Sequence, residues 1–145
     1  MDSDLAVILV SDDPAEAFVF EGILGEDTVL KSVQDLPELH DDLGDGIHYD
    51  AVLCAWFTRN GTWKDALGQV LQRCPDLPVV VFHRTGTERE WLEVLEAGAF
   101  DLLTAPYVEH TVLPVLEQAG ASSRARRLRN GGNGDSRKSE SNWEN

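Results

Sequence analysis

Short uninterrupted apolar runs alternate along this chain with segments whose apolar residues recur every three or four positions. Leu5-Ala6-Val7-Ile8-Leu9-Val10 is the first run, of strand length and apolar on both faces. It stops at Ser11-Asp12-Asp13-Pro14, which reads as a helix start with Asp13 as N-cap and the proline at the first helical position. The helix predicted there carries Ala17, Phe18, Phe20 and Leu24 and ends near Gly25. Thr28-Val29-Leu30-Lys31-Ser32-Val33 is a weaker strand, after which Asp35 caps a helix through Leu36, Leu39 and Leu43 to Gly44. Ala51-Val52-Leu53-Cys54-Ala55-Trp56 is the third strand. Past the loop Thr58-Arg59-Asn60-Gly61, a helix places Trp63, Leu67, Val70 and Leu71 on one face before Pro75. Val79-Val80-Val81-Phe82 follows Pro78 as the fourth strand, and Thr87 caps a helix with Trp91, Leu92, Val94 and Leu95, closed by Gly98. Asp101-Leu102-Leu103-Thr104 is a brief fifth strand ended by Ala105-Pro106, and the last helix begins near Val108 and carries Val112, Val115 and Leu116.

Five strands alternating with five helices predict an α/β, doubly wound, five-stranded parallel sheet covered on both faces. The uniformly apolar first, third and fourth runs belong in the middle, and the more polar second and fifth at the edges. With right-handed crossovers this gives strand order 2-1-3-4-5 in a single domain. Ligands in such a sheet bind outside the carboxyl ends of the strands, where the order reverses between strands 1 and 3. Asp12, Asp13, the loop from Ala55 to Asn60, His83 to Thr87 and Thr104 to Pro106 are therefore where function is expected.

Composition and charge narrow the classes. The chain has 145 residues, 42% of them hydrophobic, enough for a core. No apolar run reaches the roughly 18–20 residues of a membrane span, and Met1-Asp2-Ser3-Asp4 is unlike the basic start of a secretory signal. The expected location is the cytoplasm. Of the net charge of −14, residues 1–120 carry 23 Asp/Glu against 6 Lys/Arg, a balance of −17, whereas residues 121–145 carry 3 against 6, a balance of +3. A body that acidic repels phosphate backbones, so no direct nucleic-acid binding is expected. Arg124, Arg126, Arg127 and Arg129 read either as the solvated basic end of the last helix or as an invitation to an acidic partner. From about Arg129 to residue 145 the apolar period is lost, and a flexible tail is expected. Cys54 and Cys74 have no metal-ligand spacing, and Cys54 reads as a buried reduced thiol.

Four segments, in order, are similar to one family. Ile8-Leu9-Val10-Ser11-Asp12-Asp13-Pro14, Tyr49-Asp50-Ala51-Val52-Leu53-Cys54, Pro78-Val79-Val80-Val81-Phe82 and above all Glu96-Ala97-Gly98-Ala99-Phe100-Asp101-Leu102-Leu103-Thr104-Ala105-Pro106-Tyr107 resemble the bacterial response-regulator receiver domain, over residues 5 to about 119. The resemblance implies a flavodoxin-like (CheY-like) fold over residues 1–120 and a cis Ala105–Pro106 bond. It also implies a phosphorylation site built from a strand-3 Asp, an acidic pair holding Mg²⁺, a Ser/Thr after strand 4 and a Lys before the fifth-strand proline. Such cations offset the charge that gathers on a transferring phosphoryl group.

Only Asp12 and Asp13 match those functional residues. The phosphoacceptor position falls on Ala55, the Ser/Thr on His83, the Lys on Ala105 and the strand-5 aromatic on Leu102. A methyl group cannot take up phosphorus, so the sequence reads as a pseudo-receiver and not an enzyme. The expected function is that of a signalling module of the two-component or phosphorelay type, acting by phosphorylation-independent contact with another signalling protein. A homodimer through helix 4, strand 5 and helix 5 is a further expectation. Trp56, Phe57, Trp91, Leu102 and Tyr107 are the candidate partner-contact residues, although core packing explains Trp63 and Trp91 better than a stacking ligand. No resident cofactor is expected. The alternatives are a small ligand or divalent metal at Asp12 and Asp13, with His83 as a further ligand, or phosphorylation at a non-standard residue such as Thr58 or His83. His83 or Arg84 is also expected to lean over the crevice and offset Asp12 and Asp13.

Overall fold

The computed structural model describes residues 5–26, 28–44 and 48–137, with side chains as far as Arg129. Its elements are β1 (Leu5–Val10), α1 (Pro14–Leu24), β2 (Thr28–Val33), α2 (Leu36–Leu43), β3 (Ala51–Ala55), β4 (Phe57–Thr58), β5 (Gly61–Thr62), α3 (Trp63–Arg73), β6 (Val79–His83), α4 (Glu88–Ala97), β7 (Asp101–Thr104) and α5 (Glu109–Arg137). The main sheet is parallel with order β2-β1-β3-β6-β7, the predicted order once β6 and β7 are counted as its fourth and fifth strands. The central strands are apolar because both faces are covered. One face packs Ile8, Val10, Val52, Cys54, Val79 and Val81 against Leu39, Trp63, Leu67, Val70 and Val94. The other packs Val7, Leu9, Leu53, Val80 and Phe82 against Phe20, Leu24, Val112 and Leu116.

Side-chain oxygens start the helices where the sequence predicts. Asp13 Oδ1 accepts from the Ala15 amide at 2.9 Å, and Asp35 Oδ1 from Glu38 at 3.0 Å. Thr62 and Thr87 each form a capping box, with Asp65 and Glu90 respectively. Gly98 closes α4 at φ +111°, a conformation that favours glycine.

Three features depart from expectation. Phe18 is 77% exposed because the buried stripe of α1 runs through Ala17, Phe20 and Leu24, and position 18 lies off that line. The loop after β3 is a two-stranded antiparallel ribbon pairing Phe57 with Thr62 and Thr58 with Gly61 across Arg59-Asn60. The helical backbone of α5 continues past Arg129 to Arg137, since no proline interrupts it after Pro114. The expected tail at 138–145 lies outside the described residues. Among the described residues, no helix is long and apolar enough to cross a membrane.

Candidate functional site

Register fixes what meets at the carboxyl ends of the strands. Val10 pairs with Cys54 and Ala55 with Phe82, so Ser11, Ala55 and His83 emerge side by side. They bound a crevice of about 230 Å³ lined by Asp12, Asp13, Glu16, Ala55, Trp56, Phe57, Phe82, His83 and Arg84. The acids come from the β1–α1 turn and the first turn of α1. Asp12 is exposed, Asp13 is spent on its helix cap, and Glu16 accepts the Ser11 hydroxyl at 2.7 Å. Ala55 is 7% exposed and presents a methyl group. The nearest acid on its own strand segment, Asp50, sits at the opposite, amino end.

His83 lies almost flat on the Trp56 indole, centroids 4.7 Å apart at 14°, with Phe57 edge-on at 6.3 Å. Trp56 in turn packs against buried Trp63 at 5.4 Å and donates its amide to Phe82 O at 3.0 Å. Trp56 is thus a half-buried wall of the crevice, and of the expected aromatic pair only Phe57, 65% exposed, offers open surface. His83 and Arg84 line the same crevice as Asp12 and Asp13, but among the described residues no ion pair joins them. The stack on Trp56 holds the imidazole at the crevice wall.

Of the carboxylates that the resemblance assigns to magnesium, Asp12 and Asp13 are present and the strand-3 Asp is replaced by Ala55. Asp13 Oδ1 is engaged with a backbone amide, and Ala55 has no side-chain oxygen to give. Among the described residues no group of three His, Cys, Asp or Glu could hold a metal ion, so Asp12, Asp13 and His83 do not form the three-ligand cluster considered above.

At the edge beside β7, two expected contact residues turn inward. Leu102 is 8% exposed, because the alternation of β7 points it at the core under α4. Tyr107 packs its ring on Phe20 at 5.0 Å and Phe82 at 5.6 Å, where the cis Ala105–Pro106 bond precedes it. Its hydroxyl is buried without a hydrogen-bond partner, and burial, then the charge of Glu16, push its pKa up to about 12, with Arg84 pulling the other way. Trp91 is 42% exposed and donates its indole N–H to Asp101 Oδ1 at 3.1 Å, so it covers the α4–β7 junction from outside. Ala105, where the resemblance implies a lysine, contributes no cation.

A second charged constellation lies at the amino end of the sheet, and the one-dimensional reading missed it. Asp50 is 7% exposed; its amide donates to Ala6 O at 2.6 Å while its Oδ2 accepts from Ala6 N at 2.9 Å. Its Oδ1 faces Arg124 Nη1 at 3.5 Å and Arg127 Nη2 at 3.6 Å. Arg127 Nη1 also donates to Tyr49 O at 3.3 Å and to the buried Ser123 hydroxyl at 3.1 Å. These two arginines are therefore tied to the domain. The spacing of Arg124 and Arg127 on one helix was the available signal; their partner, far away in sequence, was not.

No family model matches the chain, and no curated protein matches it. Solved structures do. A signal receiver domain of an HD-domain protein from Pseudomonas fluorescens superposes with a TM-score of 0.78 at 16% identity, covering 89% of this chain and 96% of that one. A CheY-like response-regulator receiver domain from Methanospirillum hungatei gives 0.73 at 14%, covering 86% and 99%. The receiver domain of a sensor histidine kinase from Pseudomonas aeruginosa, with a magnesium ion coordinated in its active-site cleft, gives 0.71 at 18%, covering 82% and 99%. At such identities the likeness establishes the fold.

Proposed function

We propose that this chain is a receiver-type signalling module whose output is protein–protein contact independent of phosphorylation. The observation that carries the reading is Ala55. At the carboxyl end of β3, paired with Phe82 and beside Asp12, Asp13 and Glu16, the chain offers a methyl group where a carboxylate nucleophile would have to stand. Phosphoryl transfer to a carboxylate needs that nucleophile and cations around the phosphoryl oxygens. Ala55 and Ala105 remove one of each.

The His83–Trp56–Trp63 stack supports the same reading, because it fills the β3 and β6 ends with packed rings in a fixed arrangement. Binding then falls to exposed side chains around the crevice and α4, with Phe57 and Trp91 foremost. The test is a backbone amide NMR titration with beryllium, fluoride and Mg²⁺, which together form an acyl-phosphate mimic on receptive carboxylates. The expected result is no shift beyond weak, non-saturating changes at Asp12 and Asp13. Saturable shifts spreading from Ala55 to Thr104 would contradict the proposal.

A further inference from the structure

The buried face of α5 runs through Val112, Leu116, Ala119 and Ser123 and ends at half-buried Arg127. The opposite face of its second half has no partner in the fold. Ala121, Ala125 and Leu128 are all exposed and recur at i, i+4 and i+7, which places them on one seam. Leu128 is 80% exposed, the most of any large apolar side chain among the described residues. On the helical wheel Arg124 falls on one flank of this seam and Arg129 on the other, with Arg126 beyond it. Neither Arg126 nor Arg129 has a hydrogen bond or ion pair among the described residues.

The seam is held in place rather than loosely attached. Gly120 lets the helix approach β1 so closely that an added Cβ would stand 2.8 Å from Leu5 Cδ1 and 3.4 Å from Asp50 Cβ. One turn later Arg124 and Arg127 reach Asp50, and Arg127 also reaches Tyr49 O. A helix fixed in this way loses little further conformational freedom on binding, which favours association.

We propose that the outward face of α5 from Ala121 to Arg129 is a docking surface for an acidic amphipathic segment of a partner protein, whose apolar side chains cover Leu128 and whose carboxylates meet Arg129 on the flank of the seam. Charge selects this occupant. Residues 121–145 carry +3 while residues 1–120 carry −17, so the basic excess of the sequence lies at this end of the chain. Two copies of the seam set side by side would oppose arginine to arginine. Nucleic acid would meet the acidic body beside the seam and leave Leu128 uncovered. The surface lies at the amino end of the sheet, remote from the crevice, so it stands or falls independently of the phosphorylation reading.

The experiment places a photo-crosslinking amino acid at Leu128 of the full chain, expressed in its native cells, with the same group at exposed Gln72 on α3 as control. Circular dichroism and thermal melting establish that each variant folds. The expected result is an adduct at 128 and not at 72, whose crosslinked segment is helical, apolar on one face and net negative. Its yield falls at least fivefold in the Arg129→Glu variant and falls again as salt is raised. The proposal is overturned by an adduct to a second copy, by a nuclease-sensitive adduct, by a neutral or basic crosslinked segment, by a yield indifferent to charge reversal, or by no adduct above the Gln72 control.

Discussion

Replacing Asp50 with alanine separates what the buried carboxylate does for the backbone from what it does for the arginines. The side chain accepts from Ala6 N at 2.9 Å in a part-buried setting, and a donor stranded there costs about 1–3 kcal/mol. The arginine contacts are longer, 3.5 and 3.6 Å, and the guanidinium side chains are 41% and 35% exposed, so solvent screens them. Each adds at most about 0–1 kcal/mol. Asp50→Ala should therefore destabilise by about 1–5 kcal/mol. Asp50→Asn, which keeps an acceptor for Ala6, should cost about half of that, and Arg124→Ala/Arg127→Ala together about 2 kcal/mol at most. Urea unfolding followed by the fluorescence of buried Trp63 measures all three, and only the double arginine variant should lose its effect in high salt. The reasoning is refuted if Asp50→Ala costs under about 1 kcal/mol, or if the arginine variant costs as much as Asp50→Ala.

Three further outcomes follow from the same geometry. Phe82→Ala empties the ring cluster with Phe20 and Tyr107 and should cost about 3–5 kcal/mol in a urea titration. Trp91→Phe removes only the 3.1 Å bond to Asp101 at the surface, and its cost should stay below about 1 kcal/mol by the same assay. Burial pushes Cys54 from 9.0 up to about 12, and Tyr107 rises from 10.0 to about 12. Below pH 9 both folded and unfolded chains keep these protons and stability is unaffected. Between about 9 and 12 the unfolded chain releases them first, so stability should fall as pH rises through that window. Cys54→Ala should flatten the early part of the fall, and thiol reagents should modify half-buried Cys74 while Cys54 stays protected in the native state.

The sheet was legible because its strands carry their burial in their composition. Leu5–Val10, Ala51–Ala55 and Val79–His83 are apolar on both faces, and only the middle of a covered parallel sheet accepts that. The helix starts were legible because capping is local, with Asp13, Asp35 and Thr87 each within three residues of the amides they satisfy. What depended on distant partners was not. Leu102 and Tyr107 look like surface candidates in sequence, yet β7 and the turn after it aim them at α4 and at Phe20. Trp56 beside Phe57 reads as one exposed patch, but His83, on a different strand, covers the indole and leaves Phe57 outside. The Asp50–Arg124 contact spans 74 residues, and no periodicity records such a pair.

The central claim is that the crevice cannot take up a phosphoryl group, and intact-mass measurement tests it most directly. The full chain is incubated with a small-molecule phosphodonor and Mg²⁺, and its mass is read before and after. The account predicts an unchanged mass. A stable phosphoryl adduct that maps to Asp12, Asp13, Thr58 or His83 would contradict it.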